Sequence, residues 1–291
     1  MKGQGPGQPD LLATLGGAIV HDQELGIVTS VQEDGLVQMR LPYRPALTRT
    51  SHDGIDEGAI TTLLDTVCGV SAMAGLDYRE STATLDLRID HLAPALPGQD
   101  LQATARVTHI SGSAARGAVL VAASARTPES QADCARALGR FYRKKLPRPD
   151  RAHSLHSDRV LDGFPDYQSL MGFTAQADGA ILLPYRVGLI GNGSLPALHG
   201  GAIAAHLLES ARHLMRDTPT PQVATAQYSF LIYGRPQDLL ATAQVEKPGR
   251  AVSFVSARAG HPGETTPVAT AVFTFVAPPS AGSLDSGLAM R

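Results

Sequence analysis

The sequence predicts an α+β fold built twice: two tandem domains, in each of which an antiparallel sheet wraps around one central helix. Two observations carry this. Three blocks of sequence recur in the same order in the two halves, and each half places one helical pattern ahead of a series of strand patterns. The first block pairs LPYRPALTRTSHDGIDEGAI (Leu41 to Ile60) with LPYRVGLIGNGSLPALHGGAI (Leu183 to Ile203), the second copy holding one extra residue. The second pairs GQDLQATARV (Gly98 to Val107) with RPQDLLATAQV (Arg235 to Val245), and the third pairs CARALGRFY (Cys134 to Tyr142) with VATAVFTFV (Val268 to Val276). These blocks divide the chain into repeat 1, residues 1–146, and repeat 2, residues 147–291. A linker at about 143–154 joins them, where RKKLPRPDRAH is charged and carries two prolines.

In repeat 1 a hairpin comes first. GIVTSVQEDGLVQMRLPYR (Gly26 to Arg44) reads as two strands turning at Glu33, Asp34 and Gly35. TSHDGIDEG follows as a loop, with His52 and Asp53 as loop polar residues. Next, Ile60, Leu63, Leu64 and Val67 recur at helical spacing, while Ala59, Cys68, Val70, Ala72 and Met73 make the remaining faces apolar. A helix apolar all round is a buried one. TATLDLRIDHL (Thr82 to Leu92) alternates Leu85, Leu87 and Ile89 with Asp86, Arg88 and Asp90, a strand with one face inward. LQATARVTHI, GAVLVAASAR and ARALGRFYRK continue as strands. Repeat 2 runs through the same series: a hairpin in GFTAQADGAILLPYR around Asp178 and Gly179, the helical LHGGAIAAHLLESA, then AQYSFLIYG, LLATAQVEK, VSFVSARAG and PVATAVFTFV. The tails MKGQGPGQPD and PPSAGSLDSGLAMR read as frayed.

Composition narrows the function. A chain of 291 residues with 43% hydrophobic and 18% charged content is that of a soluble globular protein. A net charge of -2 with 5% aromatic residues and no Trp speaks against a nucleic-acid partner. The longest apolar runs fall far short of the roughly 20 residues a membrane-spanning helix needs, so no membrane partner is expected. MKGQGPGQPD lacks the apolar core of a signal peptide, and Cys68 and Cys134 sit in apolar contexts, which predicts buried free thiols and a cytoplasmic location. The sequence holds no G-x-S-x-G elbow, P-loop or zinc-spaced His/Cys set. Serine-hydrolase and metalloenzyme readings are therefore poor, and no metal is expected.

The two helix starts differ in a way that carries chemistry. One copy supplies His199, Gly200 and Gly201, but nine residues after His199 stands Leu208, with Glu209 one place later. The other supplies Asp65 and keeps Gly58, but has Asp56 and Glu57 where its twin has His and Gly. A thioester carbonyl gathers negative charge on oxygen when attacked, and free N–H groups at a helix start are donors already aimed at such charge. Losing one donor of this kind costs on the order of a hundredfold in rate. Glycine lets a ligand approach the backbone closely. A carboxylate among apolar neighbours, as Asp65 is among Leu63, Leu64 and Val67, has its pKa pushed up and becomes a better base near neutrality.

From about Leu11 to Ala277, the linker excepted, both halves resemble the PaaI-like branch of the hotdog thioesterases, which hydrolyse acyl-coenzyme A thioesters. The family motif is HGG at the start of the central helix with Asp or Glu nine residues after the His. HGGAI at His199 to Ile203 matches its first part, and GAITTLLDTVCG at Gly58 to Gly69 its second. The resemblance implies two tandem hotdog domains forming a pseudo-dimeric double hotdog, an acyl-CoA substrate and no cofactor. Two such chains could pair as a homodimer. In the family, helix-start glycine and carboxylate come from opposite members of a dimer. That implies a site in which Asp65 faces Gly200 and Gly201, with His199 and Asn192 beside the thioester. Asp65 would act as general base on water or as nucleophile through an anhydride.

The reciprocal pocket would pair Gly58, as a substrate-binding donor, with Glu209, but Asp56 and Glu57 would set two carboxylates beside a forming oxyanion. At about 100° per residue, Glu209 is turned away from the motif position. Either a π-bulge near His206 brings it back as a second catalytic carboxylate or it is a vestige. Two other readings share the fold: an acyl-CoA-binding or regulatory hotdog without catalysis, and a hydratase or dehydratase of acyl thioesters.

Overall fold

The computed structural model describes residues 19–31, 36–49, 52–130, 132–145, 160–192 and 196–278. Repeat 1 contains α1 (Val20–Leu25), β1 (Val28–Val31), β2 (Val37–Leu41), β3 (Thr48–Arg49), β4 (His52–Ile55), α2 (Glu57–Ala74), β5 (Glu80–His91), β6 (Leu101–Ser111), β7 (Ala118–Arg126) and β8 (Ala135–Lys145). Repeat 2 contains α3 (Tyr167–Met171), β9 (Thr174–Ala175), β10 (Ile181–Leu183), β11 (Ile190–Asn192), β12 (Ala197–Leu198), α4 (Gly200–Met215), β13 (Gln222–Phe230), β14 (Leu239–Lys247), β15 (Val252–Gly260) and β16 (Ala269–Val276).

Twelve strands form one sheet in the order β1-β2-β6-β7-β8-β5-β13-β16-β15-β14-β10-β9, each half of which mirrors the other. The repeats join at its centre, where β5 and β13 pair antiparallel with Leu87 opposite Tyr228. Strand β7 shows why one face is inward: Val119, Val121, Ala123 and Ala125 are buried while the residues between them are more exposed. These inward rows cover α2 and α4. The recurring LPYR and QDL blocks earn their likeness in one bond: the Tyr43 N–H donates to Asp100 Oδ1 at 2.8 Å, and the Tyr185 N–H to Asp238 Oδ1 at 2.7 Å. That bond seats the hairpin strand on its neighbour in each repeat, Leu41 opposite Leu101 and Leu183 opposite Leu239.

Several expectations are corrected. His52 to Ile55, expected as loop, is strand β4, paired antiparallel with β3 so that His52 lies opposite Arg49. Strand β8 runs to Lys145, so Arg143 to Lys145 are sheet, and Arg143 pairs with Glu80 at 2.6 Å. The rest of the expected linker, the turn at Glu33, Asp34 and Gly35, and both tails lie outside the described residues. Strand β13 ends at Phe230, leaving Leu231 to Gly234 as loop, because Leu231 and Ile232 bond to the Val268 carbonyl across the turn. Leu85 is not inward but 37% exposed, because the β5–β8 register shifts between Thr84 and Asp86. Cys68 and Cys134 are buried and free. Among the described residues, no helix is long and apolar enough to cross a membrane.

Helices α2 and α4 pack antiparallel at close range. A Cβ on Gly201 would sit 2.6 Å from the Thr62 Cα, and one on Gly58 3.2 Å from the Ala205 Cβ. Each helix start therefore lies beside the middle of the other helix. Gly201→Ala should push the helices apart at a cost of about 1–3 kcal/mol, read as a lower urea midpoint with an unchanged slope.

Candidate active site

The start of α4 carries the first group of candidate residues. His199 is its N-cap in extended backbone, and its Nδ1 accepts the Gly201 N–H at 3.0 Å. The neighbouring Gly200 N–H carries no such cap. Opposite, in the middle of α2, the Asp65 carboxylate lies against Gly200: a Cβ there would meet Asp65 Oδ2 at 2.7 Å. His199 Nδ1 stands 3.8 Å from the same oxygen. The two are not an ion pair, since burial holds the imidazole well below its usual pKa and therefore neutral.

Asp65 is held from the sheet as well. Its Oδ1 accepts the Thr84 hydroxyl at 2.9 Å. Thr84 reaches it because of the bulge in β5: Leu85 is the extra residue, so Thr84 takes its turn toward the helices, opposite the buried Phe141. Burial pushes the Asp65 carboxyl up to about 6, opposed by the Thr84 hydroxyl and the Gly201 N–H. At neutral pH it is an ionised base of raised strength.

Helix α1 supplies groups that sequence reasoning did not single out. Its Asp22 accepts the Thr66 hydroxyl at 2.8 Å, and Thr66 Oγ1 lies 3.2 Å from His199 Nε2. Burial pushes the Asp22 carboxyl up to about 8. His21 binds the Gly188 carbonyl through Nδ1 at 2.9 Å and sits with its ring centre 5.3 Å from that of His199. Burial, then the Arg186 charge, lowers His21 to about 3, so it too is neutral. A signal for α1 existed in the repeats: Leu25-Gly26 and Met171-Gly172 end α1 and α3 at glycines with φ of 72° and 76°. For Thr84 there was none, because a bulge is invisible in a single sequence.

Residues 57–124 match the family described as Thioesterase superfamily, and residues 192–276 the family described as Acyl-CoA thioesterase N-terminal domain. The chain belongs to the thioesterase superfamily. Solved structures agree on its double-hotdog fold. A Novosphingobium aromaticivorans protein superposes with TM-score 0.59 at 12% identity, covering 85% of this chain and 98% of that one. The tesB protein of Mycobacterium avium subspecies paratuberculosis gives 0.58 at 12%, covering 89% and 98%. A 12:0-ACP thioesterase from Umbellularia californica gives 0.57 at 9%, covering 84% and 95%. No curated protein matches the sequence.

The reciprocal position of this thioesterase-superfamily chain is built differently. Asp56 caps α2 and accepts the Gly58 N–H at 2.6 Å, so Gly58 offers no donor to a substrate. Tyr167 and Ala205 crowd the space a Cβ on Gly58 would take. Asp56 and Glu57 do not stand as bare carboxylates: Arg212 Nη1 reaches Asp56 at 3.0 and 3.2 Å, Arg212 also binds Glu57, and Arg49 lies 3.4 Å from Asp56. The expected repulsion is replaced by a buried ion-pair cluster. Helix α4 is regular through Glu209, with no π-turn, so Leu208 occupies the place that Asp65 has in α2. Glu209 joins the cluster instead, bonded to Gln168 and 4.0 Å from Arg49. It is 7% exposed, and burial raises its pKa. Asn192 ends β11 opposite Ala197, and its side chain lies outside the described residues.

Of the candidate residues, the structure thus brings Asp65, His199, Gly200 and Gly201 together and sets Gly58 and Glu209 in the opposite cluster. Arg212→Met would leave the buried Asp56 with Arg49 alone and take the Arg212 partner from half-buried Glu57. It should cost about 3–5 kcal/mol, measured by denaturant melting.

Proposed function

We propose that the protein hydrolyses acyl-CoA thioesters at one composite site per chain, made of Asp65 and Thr84 from repeat 1 and His199 and Gly200 from repeat 2. The observation that carries this reading is an ionisable carboxylate packed against the glycine helix start, Asp65 Oδ2 standing 2.7 Å from where a Cβ on Gly200 would sit, beside an N–H that His199 does not cap. In hydrolysis, Asp65 takes a proton from water as the water oxygen bonds to the thioester carbon. Charge moves to the carbonyl oxygen, and the C–S bond then breaks to release the thiol, the proton returning to sulfur. The Gly200 N–H, at the positive end of α4, is the donor for the developing oxyanion. Thr84 holds Oδ1, leaving Oδ2 directed at Gly200 and the substrate carbon. With the Gly201 N–H already bound to His199, only one of the two glycine amides is available to the oxyanion.

The thioester class follows from the superfamily and from this geometry. The hydratase reading finds less support, because it needs an imidazole that exchanges protons near neutrality and His199 is held neutral. A cytoplasmic location and a homodimer of double-hotdog chains belong to the same reading. The ion-pair cluster at Asp56 argues for one substrate per chain.

Asp65→Asn should abolish thiol release from acyl-CoA across short, medium, long and aryl chains. The same variant should be more stable than the parent above pH 6. The buried carboxyl titrates at about 6 instead of 3.8, so its stabilising protonated form is present below pH 4 and lost as pH rises through 6, a difference of about 3 kcal/mol. Loss of activity without that gain would count against the assigned role. In the parent, kcat/KM should rise with pH through a limb near 6. Gly200→Ala should cost about a hundredfold in kcat by displacing the Asp65 carboxylate, while its melting temperature stays close to the parent's.

A further inference from the structure

We infer that Asp22 is a positioning residue: acting through Thr66, it locks His199 in its Nε2–H form and so holds the Gly200–Gly201 helix start in place. The inference rests on the thioesterase reading for its kinetic consequence but not for its structural one. A neutral imidazole carries one ring proton. The Gly201 N–H occupies the Nδ1 lone pair at 3.0 Å, so the proton is on Nε2. Nε2–H therefore donates to Thr66 Oγ1 at 3.2 Å, and the Thr66 hydroxyl, having accepted, donates onward to Asp22 Oδ1 at 2.8 Å. The reverse direction would place donors on both ring nitrogens and leave the ring without a proton. Each donor from His199 to Thr66 meets one acceptor, and Asp22 closes the row through Oδ1, the acceptor oxygen of a carboxyl that burial keeps protonated at neutral pH.

Helix α1 delivers Asp22 to this point and is itself tied to repeat 2. His21 bonds to the Gly188 carbonyl, and Glu24 pairs with Arg186. The titratable and hydroxyl groups around the His199 ring come from two elements of repeat 1, His21 and Asp22 from α1 and Asp65 and Thr66 from α2, while Gly191 of β11 packs against the ring from repeat 2. At the reciprocal position every member of the row is changed in step. Where His199 caps α4, Asp56 caps α2; where Thr66 and Asp22 stand, Glu209 and Gln168 stand, with the amide donating to the carboxylate. A row ending in an acceptor accompanies the capping residue that has a proton to give. A cap that only accepts is surrounded by arginine donors.

The test compares Asp22→Ala, Asp22→Asn and Thr66→Val by ¹⁵N NMR of histidine-labelled protein, with His199→Gln used to assign the ring. In the parent, His199 should show a bare Nδ1 and a protonated Nε2. Asp22→Ala and Thr66→Val should each give a mixed or inverted pattern, with kcat on acyl-CoA reduced roughly ten- to a hundredfold and KM little changed. Asp22→Asn retains an acceptor oxygen and should restore the parent pattern and most of the rate. The double variant Asp22→Ala with Thr66→Val should be no worse than either alone. A parent-like ring spectrum in Asp22→Ala and Thr66→Val, or an Asp22→Asn as impaired as Asp22→Ala, would overturn the inference. Should the parent release no thiol from any acyl-CoA, the enzymatic reading fails while the ring spectra still decide the role of Asp22.

Discussion

Everything at the candidate site depends on how closely α2 and α4 approach each other. Thr62 fits against Gly201 only because there is no Cβ to meet its Cα, and the antiparallel crossing sets each helix start beside the middle of its partner. The β5–β13 seam makes that crossing possible by joining the repeats into one sheet. Repeat 2 holds the uncapped Gly200 amide but has Leu208 in the carboxylate's place, and repeat 1 holds Asp65 but has its Gly58 N–H taken by Asp56. The chemistry belongs to the pair.

A pseudo-two-fold arrangement offers two such places, and the duplicated chain has made them electrostatically opposite. Both must answer the positive end of a helix in a buried setting. At α4 the answer is one carboxyl, Asp65, which has lost water and has few partners, so its base strength rises. At α2 it is Asp56 and Glu57, compensated by Arg212 and Arg49, an arrangement that satisfies charge and leaves nothing reactive. Burial is shared; what differs is whether the carboxylate has a cation. Asp65 gains reactivity from the lack of one, at a cost in stability, and Asp56 gains stability by having two.

The repeats were legible because backbone bonds preserve them: LPYR and QDL recur since each copy seats its hairpin through the same Tyr N–H and Asp carboxylate. The buried helices and most long strands were legible from apolar period alone. The convergence of Asp65 on Gly200 was legible through the complementary defects of two aligned motifs. Other parts were not, each for its own physical reason. Helix α1 is six residues long, too short for a period to show. Thr84 turns inward through a register shift that leaves no trace in residue types, and by simple alternation Leu85 would hold its place. Arg212 lies 156 residues from Asp56 in the chain, so only the fold reveals that the charges at the start of α2 are neutralised.

The hydrogen bonds at the two helix starts give the two glycines of the HGG motif different roles. Gly201 and Gly58 hold equivalent positions, and in both the N–H is consumed by the preceding cap, His199 in one and Asp56 in the other. The second glycine is therefore explained by packing, since it must let the facing helix pass. The first is explained by chemistry, since its N–H is uncapped and its missing Cβ leaves room for a carboxylate. In α2 the first position is Glu57, whose side chain turns to Arg212 instead. A histidine cap has one property an aspartate cap lacks: it satisfies the helix amide without bringing a charge. In the proposed reaction, with Asp65 ionised close by, a neutral cap adds no further negative charge beside the substrate oxygen at Gly200, whereas an aspartate at 199 would oppose it.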